Sequence, residues 1–148
     1  MKRDREDTEV PEQENLKLAR TSFDTWNAHD PERYVKLLDE KHVFESDAIP
    51  ESMTGREAGR QFMKTYISAF PDLHFQIDQM LASGNFVVTR WTATGTHRRP
   101  LMRIPATNRR TITRGCTVAE IRNGKVVHDW IYWDTGNLLK QLGVLPAS

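Results

Sequence analysis

Pro71 divides this chain into two hydrophobic rhythms, and the change of rhythm restricts the fold more than any other feature. Before it, Leu16, Ala19, Phe23 and Trp26 recur at spacings of three and four, which predicts an amphipathic helix running to about Asn27. Asp30-Pro31 supplies an N-cap and a first-turn proline for a short second helix with Tyr34, Val35 and Leu38 on its apolar side. His42 to Glu45 reads as a brief strand. A third helix after Gly55 carries Phe62, Met63, Tyr66, Ile67 and Phe70, and Pro71 ends it. Beyond Pro71 the period becomes two. Leu73, Phe75 and Ile77 alternate, Ser83-Gly84-Asn85 turns the chain, and Phe86 to His97 is rich in β-branched residues. A loop from Arg98 to Asn108, broken by Pro100 and Pro105, separates these from strands at Arg110 to Arg122 and Lys125 to Asp134. Leu138, Leu139 and Leu142 open a closing helix. Helices followed by a meandering antiparallel sheet make an α+β fold.

Asn123-Gly124 is a strong two-residue hairpin signal, so the register of the last two strands can be counted outward from Arg122 opposite Lys125. The regular count places His128 against Ala119, Trp130 against Thr117, Tyr132 against Gly115 and Asp134 against Thr113. Large polar-tipped residues would then face small ones, leaving room for a ligand. A carboxylate beside aromatic walls is desolvated, which raises its pKa toward the range useful for proton transfer, so Asp134 is the candidate acid–base group. The same residue also suits the N-cap of the closing helix. His128 lies toward the hairpin end and reads as a rim residue. The opposite face would carry Cys116, Val118, Val127, Ile131 and Trp133 with Arg114, and is also apolar. Two apolar faces call for a second cover, most simply a homodimer packed sheet to sheet, unless Arg114 lies over Trp133 and shields it.

The length of 148 residues allows one domain with a real core. The expected division is a charged, disordered tail at 1–13 and one folded unit at 14–146, because six acids and three basic residues crowd the first fifteen positions. One cysteine, Cys116, excludes an internal disulfide. With no apolar run of membrane-spanning length and a charged start, a cytoplasmic protein is expected. No acid occurs between Asp78 and Glu120, a stretch holding Arg90, Arg98, Arg99, Arg103, Arg109, Arg110 and Arg114. These arginines form either a solvated rim or a site selecting an anionic ligand. Near-neutral net charge, and no aromatic residue between Arg98 and Arg114, argue against nucleic acid. The five histidines show no paired metal-ligand spacing, and there is no phosphate-binding glycine loop or nucleophile elbow.

Several phrases stand in a telling order: Phe70-Pro71-Asp72-Leu73-His74, Arg90-Trp91 followed by Gly95-Thr96-His97, Asn123-Gly124-Lys125, Trp130 with Asp134, and Leu138-Leu139-Lys140-Gln141-Leu142-Gly143. This order, over about Leu16 to Gly143, resembles the SnoaL-like polyketide cyclase (ester cyclase) family of the nuclear transport factor 2-like superfamily. The resemblance implies a cone-shaped α+β barrel of the cystatin-like kind, with N-terminal helices packed on a strongly curved, mainly antiparallel sheet. It further implies a ligand cavity, common dimerisation, and ring closure by aldol condensation on a small hydrophobic ester without metal or cofactor. By that analogy Asp134 moves the proton. Either His97 or Arg90 could stabilise the developing charge on oxygen, with His97 favoured for that role and Arg90 for orienting the substrate. Arg90, Trp130, Tyr132, Tyr66 and Trp26 would hold the substrate. His97 and Arg90 each have a structural alternative, a hydrogen bond to the following loop and an ion pair, and Trp26 and Tyr66 could be plain core. Strict alternation puts Arg90 and His97 on opposite faces unless a bulge, such as one at Gly95, intervenes. The loop after Gly95-Thr96-His97 departs from the family by placing Arg99 and Arg103 at glycine-like positions, with Ala106-Thr107-Asn108 beyond them. A non-catalytic ligand-binding or dimeric interaction module on the same fold is the alternative, since this superfamily hosts both kinds.

Overall fold

The computed structural model describes residues 2–49 and 52–145, with side chains from Pro11 onward. Four helices pack on a curved, six-stranded sheet. In chain order they are α1 (Lys2–Asn27), α2 (Pro31–Lys36), β1 (Leu38–Glu45), β2 (Met53–Thr54), α3 (Arg56–Ala69), β3 (His74–Ser83), β4 (Phe86–Thr96), β5 (Arg110–Arg122), β6 (Lys125–Trp133) and α4 (Thr135–Leu142). The strand order is β2-β1-β6-β5-β4-β3, antiparallel throughout except where β1 runs parallel to β6.

Local chemistry accounts for the boundaries. Asp30 caps α2 by accepting from the Arg33 amide, and Pro31 occupies the first turn. Asn123 and Gly124 both hold positive φ, as the tight β5–β6 turn requires. α4 starts on an Asp134 cap and ends at Gly143 in the left-handed conformation. Its Gln141 side chain donates to the Ile112 carbonyl and accepts from the Ile112 amide, at 2.8 and 2.7 Å, behaving like a neighbouring strand residue at the start of β5. The helical backbone of α1 begins at Lys2, with Met1 outside the described residues. Glu12 accepts from the Gly84 amide and Asn15 donates to its carbonyl, tying α1 to the β3–β4 turn.

The regular register expected for β5 and β6 breaks at its third pair. Ile121 pairs with Val126 but Glu120 pairs with His128, so Val127 is an extra residue in β6. Beyond it every side chain is on the face opposite to the one counted from the turn. Asp129, Ile131 and Trp133 point toward the helices, opposite Ala119, Thr117 and Gly115, whereas His128, Trp130 and Tyr132 lie on the outer face with Glu120, Val118 and Cys116.

The core lies between the inner sheet face and α1, α2 and α3, and is dominated by aromatic rings. Trp26 meets Tyr34, Phe62 and Phe75 edge to face at 5.5–5.7 Å between centroids. Gly115 gives Trp91 its place, since a Cβ there would lie 2.3 Å from the indole ring and 2.7 Å from the Tyr132 carbonyl oxygen. A Gly115→Ala substitution is therefore expected to displace the Trp91 indole and lower stability by about 1–3 kcal/mol, measured as a reduced urea midpoint.

Candidate active site

The concave face of the sheet and the helices enclose a cavity of about 120 Å³. That is close to the size of an apolar cavity known to take a single small ring. Its walls are largely aromatic. Phe23 and Trp26 come from α1, Phe62 and Tyr66 from α3, Phe75 from β3, Trp91 from β4 and Trp133 from β6. Thr89, Thr111, Thr113 and Thr117 add hydroxyls along the strands, and Trp91 Nε1 donates to Thr117 Oγ1 at 2.9 Å.

Among the described residues, Asp129 is the sole carboxylate lining the cavity, and no Lys, Arg or His side chain lines it. The Val127 bulge turns Asp129 inward. Phe44 on β1 pairs with it, so His42, two residues earlier on the same face, reaches across and its Nε2 donates to Asp129 Oδ2 at 2.8 Å. The His42 side chain is only 1% exposed and that of Asp129 11%. Burial of a carboxylate without a partner is costly, and this charge-assisted hydrogen bond offsets part of that penalty. Tyr34 and Tyr66 complete the polar equipment of the wall. Burial pushes the Tyr66 phenol up to about 12. It also pushes Tyr34 well above the ordinary phenol value, with the negative charge of Asp129 adding to the effect. Both remain neutral O–H donors near neutral pH.

The residues expected from sequence are distributed differently. Trp26 and Tyr66 line the cavity. Asp134 does not; it is exposed and spends its Oδ1 capping α4, accepting from the Asn137 amide at 2.9 Å. Trp130 and Tyr132 lie on the outer face, where Trp130 stacks on His128 at 3.8 Å and Tyr132 is 51% exposed. Arg90 is also outside, with its Nε donating to Gln79 Oε1, because β4 pairs with β5 without a register break and no bulge occurs at Gly95. His97 points inward but is fully buried under the loop that follows β4 and does not line the cavity. Its Nδ1 accepts from the Thr107 amide at 3.2 Å and lies 3.0 Å from Thr107 Oγ1, while its ring packs on Phe70. The arginines of the loop do not supply a cavity cation either. Arg109 lies against Gly143, where its guanidinium meets the C-terminal end of α4.

Asp129, His42 and Tyr34 were not legible as site residues from a regular register. The available signal was His42-x-Phe44. A histidine sharing a strand face with a buried phenylalanine needs a polar partner, and Asp129 is the acid that a one-residue bulge beyond the turn brings inward.

A family model for the SnoaL-like polyketide cyclase matches residues 17–142, and the chain belongs to that family. No curated protein gives a significant match. Among solved structures, AclR from Streptomyces galilaeus, described as a candidate hydroxylase, is 26% identical with a TM-score of 0.82, covering 91% of this chain and 99% of its own. A SnoaL-like polyketide cyclase candidate from Jannaschia sp. CCS1 is 16% identical with a TM-score of 0.83, covering 91% of this chain and 95% of its own. IdmH from Streptomyces antibioticus, described as a candidate polyketide cyclase, is 24% identical with a TM-score of 0.76, covering 88% of this chain and 99% of its own. These likenesses agree with the curved-sheet α+β fold. Among the described residues no helix is long and apolar enough to cross a membrane.

His97 carries a pH signature of its own. Burial pushes its imidazole below the usual histidine value, with the Arg99 backbone pulling the other way. The folded state thus binds this proton less readily than the unfolded chain does. The stability contributed by neutral His97 is fully present above the unfolded value of about 6.5 and is lost as pH falls through it toward the folded value. Urea midpoints at pH 7.5 and 5.5 should fall more steeply for wild type than for His97→Gln, and equal slopes would show that His97 does not contribute.

Proposed function

We propose that the cavity carries out cofactor-free acid–base chemistry on a small hydrophobic carbonyl compound, with Asp129 as the proton carrier. The observation behind this reading is that Asp129 is the sole carboxylate on the cavity wall among the described residues, held by His42 in aromatic surroundings. In this scheme Asp129 takes a proton from carbon next to a carbonyl, and the electron pair moves onto the carbonyl oxygen. Tyr66 or Tyr34 donates a hydrogen bond to that oxygen. The enolate then attacks a second carbonyl in ring closure, with protonated Asp129 returning its proton to the new alkoxide. Alternatively it is reprotonated at another carbon in isomerisation. His42 orients the carboxylate. An ester-bearing ligand suits the neutral hydroxyls of the wall, whereas an anionic one finds no counter-charge there. The base assigned to Asp134 by analogy passes to Asp129, because Asp134 is exposed and committed to the helix cap.

Hydrogen–deuterium exchange at the acidic carbon of small β-keto esters, followed by proton NMR, tests this reading. Wild type and Asp134→Asn are expected to catalyse exchange equally. Asp129→Asn should lose about 10²–10⁴-fold. An Asp129→Asn protein that exchanges at the wild-type rate would remove Asp129 from the reaction.

The outer sheet face supports a homodimer as a second element of the proposal. Phe86, Ile112 and Tyr132 are 39%, 51% and 51% exposed, and half-buried Val88, Val118 and Trp130 join them. Arg90 and Arg114 lie on the same face. Sedimentation should report a dimer for wild type and a monomer for Tyr132→Asp. A reducing cytoplasmic setting suits the single free Cys116.

A further inference from the structure

We infer that the cavity selects an organic cation, a ligand carrying an alkylammonium group, and discriminates against anions. This rests on the reading of the same cavity as the ligand site, although not on the reaction assigned to it.

Three observations converge on this class. The first is charge. Asp129 is the sole carboxylate lining the cavity among the described residues, and no Lys, Arg or His lines it, so an entering anion meets no cationic partner on the wall. His42 satisfies one oxygen of Asp129, and the other has no hydrogen bond to protein among the described residues. A buried carboxylate with one free oxygen favours a cationic partner over a neutral one.

The second observation is the wall itself. Trp26, Phe75 and Trp91 meet in succession at 5.5 and 5.1 Å with interplanar angles of 71° and 76°. All three line the cavity. An aromatic face carries negative quadrupole density, which attracts a cation within about 6 Å of the ring centroid and is strongest for tryptophan. Aromatic rings and a carboxylate on the walls of one cavity are the two groups that attract a quaternary ammonium.

The third is size. A cavity of about 120 Å³ accommodates a compact head group. The arginines do not weaken the argument, since none lines the cavity among the described residues; Arg109 lies against Gly143, and Arg90 on β4 is bonded to Gln79 on the outer face.

The test uses three molecules of nearly the same shape and different charge: choline, its neutral carbon analogue 3,3-dimethylbutan-1-ol, and the anion 3,3-dimethylbutanoate. Titration calorimetry with the full chain, supported by tryptophan fluorescence, gives the three affinities. Choline is expected to bind about tenfold or more tighter than the neutral alcohol, with the anion weakest. Asp129→Asn should abolish most of that preference, and Trp91→Leu should weaken choline more than the alcohol. The wild-type comparison alone decides the matter if either variant folds poorly. The alcohol or the anion binding as tightly as choline would overturn the inference, and so would failure of all three to bind. Loss of carbon-acid exchange in Asp129→Asn without a preference for choline would leave the catalytic reading standing and remove this one. A preference for choline without exchange would do the reverse.

Discussion

One extra residue, Val127, decides which chemistry faces the inside of this protein. Strand side chains alternate, so a single inserted position exchanges the two faces of everything beyond it. On the inner side this brings Asp129, Ile131 and Trp133 against the helices, and on the outer side it leaves His128, Trp130 and Tyr132. The cavity, its carboxylate and the apolar outer face all follow from that local irregularity close to a tight turn.

The pairing of His42 with Asp129 shows how the fold sustains a charge in aromatic surroundings. Parallel pairing of β1 with β6 places Phe44 beside Asp129 and lets His42 reach it from the same face. The carboxylate is satisfied at one oxygen only, which leaves the other for a ligand. Neutral phenols at Tyr34 and Tyr66 add donors without adding charge. The result is a small compartment whose wall carries one carboxylate and no arginine among the described residues, inside a chain whose formal charge is close to zero.

Much of the architecture was legible because it is written in local chemistry. Asp30-Pro31, Pro71, Asn123-Gly124 and Gly143 mark boundaries by backbone preferences that the structure respects. The family phrases pointed to the curved-sheet fold, and the family match over residues 17–142 agrees. Strict alternation also put Arg90 and His97 on opposite faces, as β4 has them. The site was less legible for a physical reason. A bulge at a valine carries no glycine or proline to announce it, so the register counted from the turn assigned the wrong face to β6. Asp134 illustrates the related difficulty that one residue type serves two purposes, since a carboxylate before a helix is a good cap whether or not it is a catalyst. His42 and Asp129 are 87 positions apart, and only pairing between β1 and β6, which local pattern does not specify, brings them together.

The contact between Gln141 and Ile112 has a consequence for how freely this chain can vary. Both bonds made by the carboxamide go to the backbone of residue 112, so the side chain at 112 is unconstrained by them. Position 141 is the reverse, because only a group with a donor and an acceptor at that reach can make both bonds. Glutamate would keep the acceptor and lose the donor. Leu138, three residues earlier on the same helix, lines the cavity. The seat of α4, and with it Leu138 on the cavity wall, is therefore held in part by one amide that does not itself line the cavity.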